Sequence, residues 1–139
     1  MPGNEYVAQK LGKEDKLTHT MYFCSGYEGE SILKKWLVDN GYSEHTSVNP
    51  FIALSQVLLM YANNPEHAFQ GWNQVAGHKG GTLEKSYQDM IIKAYDYINT
   101  FVFELVNTAN GEATFQSEIT RWNNLSYATV MISRINKEK

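Results

Sequence analysis

From Thr82 to Asn110 the chain runs TLEKSYQDMIIKAYDYINTFVFELVNTAN, in which Leu83, Tyr87, Met90, Ile91, Ala94, Ile98, Phe101, Val102 and Leu105 recur at steps of three and four. Such steps bring side chains onto one face of an α-helix, so the stretch predicts one long helix with a continuous apolar stripe. A stripe of that length must be buried, which restricts the fold to elements packed around it. The second half asks for more cover than the first. Between Ala94 and Val106 only Asp96, Asn99, Thr100 and Glu104 are strongly polar, and Tyr95, Val102 and Phe103 flank the stripe. Either neighbouring helices enclose that half or a second subunit or partner does, and this makes Tyr95, Val102 and Phe103 the candidate interface residues.

The remaining segments supply the cover. Glu30 to Asp39 predicts a short helix with Ile32, Leu33, Trp36 and Leu37 on its buried face, stopped by Asn40-Gly41. Asn49-Pro50 reads as an N-cap with proline at the first helical position, and from Phe51 to Ala62 only Ser55 and Gln56 are polar, so this helix is expected to be buried on most sides. Asn64-Pro65 repeats the start signal for a shorter helix or a sharp bend, with Phe69, Trp72, Val75 and Ala76 as its apolar face. The glycines of Gly77 to Gly81 reverse the chain, and Thr82 is expected to cap the long helix with Glu84 in its first turn.

A final helix is expected from about Glu112 to Asn136, although residues 127–135 also suit a strand. Leu17 to Cys24, LTHTMYFC, alternates in a way that predicts a short strand, with Val130 to Ile135 or a second copy of the chain as its partner. Residues 1–16 are expected to be a flexible or docked arm, and residues 17–139 a single domain. The expected fold is thus mainly α, a small bundle of about four or five helices around the long helix 82–110.

Composition narrows function more by exclusion than by assignment. Fifteen acidic and 12 basic residues in 139 leave a net charge of −3 with no block of like charge, so no footprint for duplex nucleic acid and no strongly acidic face is present. The single Cys24 cannot close an internal disulfide, which fits a reducing compartment. No apolar run reaches the length of a signal-peptide core or a membrane span, and a cytoplasmic protein without membrane attachment is expected.

Candidate chemistry is sparse. His19, His45, His67 and His78 never fall three to five residues apart, so no metal site is expected. Cys24 and the turn Ser25 to Gly29 ahead of Ser31 suggest a nucleotide-binding protein or small enzyme, although Glu28 and Glu30 would repel an anion there. Glu84, Asp89, Asp96 and Glu104 interleave with Lys85 and Lys93 as a solvated face, with Asp89 and Lys93 as an expected ion pair.

The run His67-Ala68-Phe69-Gln70-Gly71, followed by Gly77, resembles the phosphoacceptor motif of histidine-containing phosphotransfer domains, which are helical bundles of about this size. The resemblance rests on His67, Gly71 and Gly77. It implies His67 as phosphoacceptor, with Gly71 leaving space for a receiver partner. Gln70 stands where that family has a lysine, and Trp72 where it has a small residue.

No cofactor is implied and no catalytic residue is assigned outside the His67 alternative. Nine tyrosines and three tryptophans exceed what one small core holds. Aromatic residues at a surface favour protein interfaces, because they bury much area with few rotatable bonds. The expected function is a non-catalytic interaction protein that docks on a protein partner as inhibitor, immunity factor or accessory subunit, or that pairs with its own copy. The alternatives are the phosphotransfer module and a nucleotide-binding protein or enzyme.

Overall fold

The computed structural model describes residues 13–70, 82–101, 117 and 119–121. Among these the protein is mainly α-helical: α1 (Lys13–Tyr22), α2 (Glu30–Asp39), a 3-10 turn (Ser43–His45), α3 (Val48–Asn63) and α4 (Lys85–Ile98) form a small bundle.

The element at the centre is α3, not the long helix expected over 82–110. Phe51 through Leu59 are buried without a break, nine residues spanning more than two turns, so every side of the helix is covered. Helix α1, helix α4 and the 3-10 turn all pack on it, while α2 packs on α4 and the 3-10 turn. A run with only Ser55 and Gln56 to expose cannot present a wet face, and each large apolar side chain removed from water contributes about 1.5 to 3 kcal/mol. Its start differs from expectation by two positions. Ser47 is the N-cap, in extended backbone, so Asn49 and Pro50 lie inside the first turn, where a missing N–H is equally harmless.

Helix α4 has the predicted stripe, with Tyr87, Met90, Ile91, Ala94 and Ile98 buried. Its limits are corrected at both ends. Glu84 occupies the N-cap position without a side-chain cap bond, and Thr82 instead pairs with Gln70 in an isolated antiparallel bridge. At the other end the helix stops at Ile98 with Asn99 as C-cap, and the Thr100 hydroxyl donates to the Tyr97 carbonyl at 2.7 Å. A β-branched residue that bonds back to the last turn competes with helix continuation. Residues 102–110, including Val102 and Phe103, lie outside the described residues. On the outer face Lys85, not Lys93, pairs with Asp89 at 2.7 Å.

The strand expected over Leu17 to Cys24 is overturned, because these residues belong to α1 and the turn that follows it. Leu17, Thr20, Met21 and Cys24, at helical spacing, are all buried, and so are His19 and Phe23. The segment is apolar enough to satisfy both periodicities. Backbone donors decide between them, since a helix pairs its own and a lone strand does not. Lys13 to Lys16, expected in the N-terminal arm, form the first turn of α1.

Helix α2 occupies Glu30–Asp39 as the sequence predicts, with Leu33 and Leu37 buried. Its entry needs glycine: a Cβ on Gly29 would collide with the Tyr22 ring and carbonyl. After Asn64-Pro65 the chain bends, as one of the two sequence alternatives has it: residues 65–69 are successive turns, held by His67 N–H to the Asn64 carbonyl (3.2 Å) and Gln70 N–H to the His67 carbonyl (3.2 Å), while Trp72, Val75 and Ala76 lie outside the described residues. Proline at 65 restricts Asn64 to extended backbone, and Asn64 has φ −153 and ψ 90. Of the final helix, residues 117 and 119–121 are helical and Ile119 packs against the core. The rest of it, with residues 127–135, lies outside the described residues.

Candidate functional site

The chain leaves α2 through a motif that places aromatic rings. Gly41 adopts φ +87, where glycine is favoured; its N–H donates to the Val38 carbonyl at 3.2 Å and the Tyr42 N–H reaches back to Leu37 at 2.8 Å. This Schellman pattern closes the helix and turns Tyr42 onto the last turns of α2. The Tyr42 ring stacks on Trp36 with centroids 5.9 Å apart and planes 29° apart. Trp36 also stacks on Tyr97 of α4, at 5.7 Å and 21°. Tyr97 in turn meets Phe101 edge-on at 5.2 Å. The Tyr42, Trp36 and Tyr97 rings are all half-buried, so the stack shows one side to the core and one to solvent.

Tyr95, two residues before Tyr97, lies on the opposite flank of α4. It meets Tyr61 of α3 edge-on at 5.2 Å, and Tyr61 stacks on Phe69 at 5.4 Å. Burial raises the Tyr95 phenol above its usual range, with a bond to Asn99 opposing the shift. Tyr61, Phe69, Tyr95 and Tyr97 thus pack against the core at its rim. Val38 and Val48 are the exposed large aliphatic residues among those described.

Tyr42 also opens a cleft of about 370 Å³. One wall is Gly41, Tyr42, Glu44 and His45, from the 3-10 turn and the loop before it; the other is Glu84, Ser86, Tyr87 and Met90, from the start of α4. The His45 ring meets Tyr87 edge-on at 5.4 Å. Burial lowers the His45 pKa, opposed by the nearby Glu44 and Glu84 carboxylates, which favour its charged form. Tyr87 is only 5% exposed, and its buried hydroxyl has no hydrogen-bond partner among the described residues. With no charge or donor to stabilise a phenolate, desolvation drives the Tyr87 pKa upward and keeps the group neutral.

The other sequence candidates sit apart from this cleft. His67 is exposed in the turns after α3, its Nε2 4.0 Å from the Glu66 carboxylate. Gln70 beside it is exposed and bridged to Thr82, and Gly71 and Gly77 lie outside the described residues. Cys24 is fully buried, its thiol donating to the carbonyls of Thr20 (3.5 Å) and Ser55 (3.8 Å). In the turn that follows, the Gly26 N–H donates to Glu30 Oε2 at 2.6 Å. A donor that a phosphate would need is therefore already engaged by a carboxylate. No group of three His, Cys, Asp or Glu side chains among the described residues is placed to hold a metal ion.

Sequence reasoning placed Trp36 on a buried face, Tyr87 on a core stripe and His45 among unpaired histidines, without joining them. Asn40-Gly41 was the available signal, since a Schellman turn predicts that the residue after its glycine packs on the helix end. No protein-family model, curated protein or solved structure matches the chain. Function therefore rests on the geometry.

Proposed function

We propose that this is a non-catalytic interaction protein that acts by binding a protein partner, as an inhibitor, immunity factor or accessory subunit, through the face carrying Tyr42, Trp36 and Tyr97. The observation that carries the proposal is the stack itself. A tryptophan stacked on two tyrosines has lost much of its freedom before any partner arrives, which lowers the entropy cost of docking. Rings of these two types dominate binding energy at protein interfaces. The flanking Lys35–Asp39 ion pair, at 2.6 Å, supplies a polar rim. No described helix is long and apolar enough to cross a membrane.

The phosphotransfer alternative draws less support from the geometry. His67 is exposed, as a phosphoacceptor must be, but it projects from a turn beside Glu66, where a phosphoryl group would meet a carboxylate. Incubation with a phosphorylated receiver domain is expected to leave no acid-labile label on His67.

The proposal is tested by capture on the tagged full chain together with a mass measurement in solution. A protein retained in stoichiometric amount, or a second copy of this chain, is expected. A strictly monomeric chain that retains nothing contradicts it.

A further inference from the structure

Helix α2 ends in an asparagine followed by a glycine, and both residues are exposed to solvent. In an unfolded chain this dipeptide is prone to deamidation. Glycine has no side chain to shield its amide nitrogen and leaves the backbone free to bring that nitrogen onto the side-chain amide before it. The folded turn holds the reacting groups apart. Asn40 has φ −106 and ψ 11, which carries the Gly41 nitrogen away from the Asn40 Cβ, whereas ring closure needs the two eclipsed. The Asn40 side chain is held as well, its Nδ2 donating to the Trp36 carbonyl at 2.8 Å. The Gly41 N–H donates to the Val38 carbonyl at 3.2 Å, and the Tyr42 N–H fastens the turn to Leu37 at 2.8 Å. No atom stands where a Cβ on Gly41 would lie, so water and base reach the turn once it opens.

We infer that Asn40-Gly41 is a site of spontaneous deamidation, kept inert by the closed turn and exposed to reaction when the last turn of α2 opens. A helix end held by exposed backbone bonds opens more readily than the core does. In the open turn a base from solvent takes the Gly41 amide proton, and the nitrogen attacks Asn40 Cγ. The N–Cγ bond forms, the Cγ–Nδ2 bond breaks, and the nitrogen leaves as ammonia with a proton from water, which gives a five-membered succinimide. Water then opens either ring carbonyl. The net change replaces an amide NH2 by a hydroxyl and leaves aspartate or isoaspartate at position 40, with nothing oxidised or reduced. Neither product remakes the closed turn. A carboxylate has no N–H for the Trp36 carbonyl, and it adds negative charge beside Asp39 at a helix C-terminus, where the dipole disfavours it. Isoaspartate adds a carbon to the main chain, which moves the Gly41 and Tyr42 donors off Val38 and Leu37. The modification thus makes the opening permanent and loosens Tyr42 from Trp36.

The test incubates the full chain in mildly alkaline buffer, folded and in denaturing urea, and follows the amide at position 40 by mass spectrometry of proteolytic peptides. In urea Asn40 is expected to react at the rate of Asn110, which also precedes a glycine in this chain. In the folded protein Asn40 is expected to react at least about tenfold more slowly than in urea, the factor set by the free energy of opening the turn. Tyr42→Ala removes the ring that packs on Trp36 and is expected to speed the folded reaction several-fold. Should that variant fail to fold, the wild-type rate is measured in urea below the unfolding midpoint, where a rise ahead of global unfolding is expected. Equal rates in the folded and unfolded chain, reaction in neither, or a rate that follows only global unfolding overturns the inference. Asn40→Asp reproduces one product, and its Tyr42 amide is expected to exchange hydrogen faster than in wild type. Equal exchange overturns the claim that the product holds the turn open.

Discussion

His19 Nε2 on α1 lies 3.0 Å from the backbone carbonyl of Ile98, the last residue of α4. Facing a carbonyl, that nitrogen must carry the proton and donate it. The bond joins two helices 79 residues apart in sequence and gives the Ile98 carbonyl at the helix end a second donor beside the Phe101 N–H at 3.3 Å. Burial nevertheless lowers the His19 pKa, because desolvation of the charged ring outweighs the help from Ile98. The folded protein therefore resists protonation that the unfolded chain accepts at about pH 6.5. This stability is complete above that pH and is lost as the pH falls below it toward the depressed folded value. The urea midpoint is expected to drop between pH 7.5 and 5.5. His19→Gln should be less stable by about 1 to 3 kcal/mol at pH 7.5 and less sensitive to acid. Some sensitivity remains through His45, whose pKa burial also lowers. Equal loss in variant and wild type would show that His19 is not the sensing group.

Because α3 is enclosed on every side, truncation there is expected to cost more than any change on the outer face of α4. Leu58→Ala should lower stability by about 2 to 5 kcal/mol, as fully buried leucines do. Asp89→Asn, which breaks the exposed Lys85 pair, should change it by less than about 1 kcal/mol. Paired urea titrations distinguish the two. Similar costs would mean that the bundle is not organised on α3.

Gly41 holds φ +87 with open space around it, so an added methyl group meets no atom and the cost is conformational alone. Gly41→Ala is expected to lose about 1 kcal/mol. Gly29→Ala is expected to cost more, because there the methyl group meets Tyr22. Thermal unfolding of the two variants checks the order.

Tyr87→Phe removes a buried hydroxyl that no described residue satisfies. The variant is expected to be unchanged or more stable by up to about 1 kcal/mol, in contrast to a tyrosine whose hydroxyl is bonded. A clear loss in calorimetry would mean that the hydroxyl finds a partner in the folded protein.

How far the sequence foretold this structure depended on whether local chemistry or distant packing decided each element. Helix α2 was legible to its bounds, because Asn40-Gly41 carries its own stop signal. The burial of α3 was legible from the near absence of polar residues over Phe51 to Ala62. For α1 the alternation of Leu17, His19, Met21 and Phe23 competed with the helical set Leu17, Thr20, Met21 and Cys24, and what separates them is that a helix pairs its own backbone donors where a lone strand does not. The long stripe over 82–110 misled in its reach, since Asn99 and Thr100 end α4 within an otherwise unbroken apolar period. As for the candidate site, Tyr95 is described and packs against Tyr61, whereas Val102 and Phe103 lie outside the described residues. The cleft was not legible at all. Glu44 and Glu84 are ordinary surface carboxylates until the fold sets the 3-10 turn beside the start of α4.

The central claim is that the Tyr42, Trp36 and Tyr97 stack is the face by which this protein acts. It is tested most directly by measuring the affinity of the captured partner for wild-type protein and for Trp36→Ala of unchanged circular dichroism. A loss of about thirty-fold or more is predicted, the weight of a tryptophan at the centre of an interface. Partner affinity equal in the two proteins would contradict it.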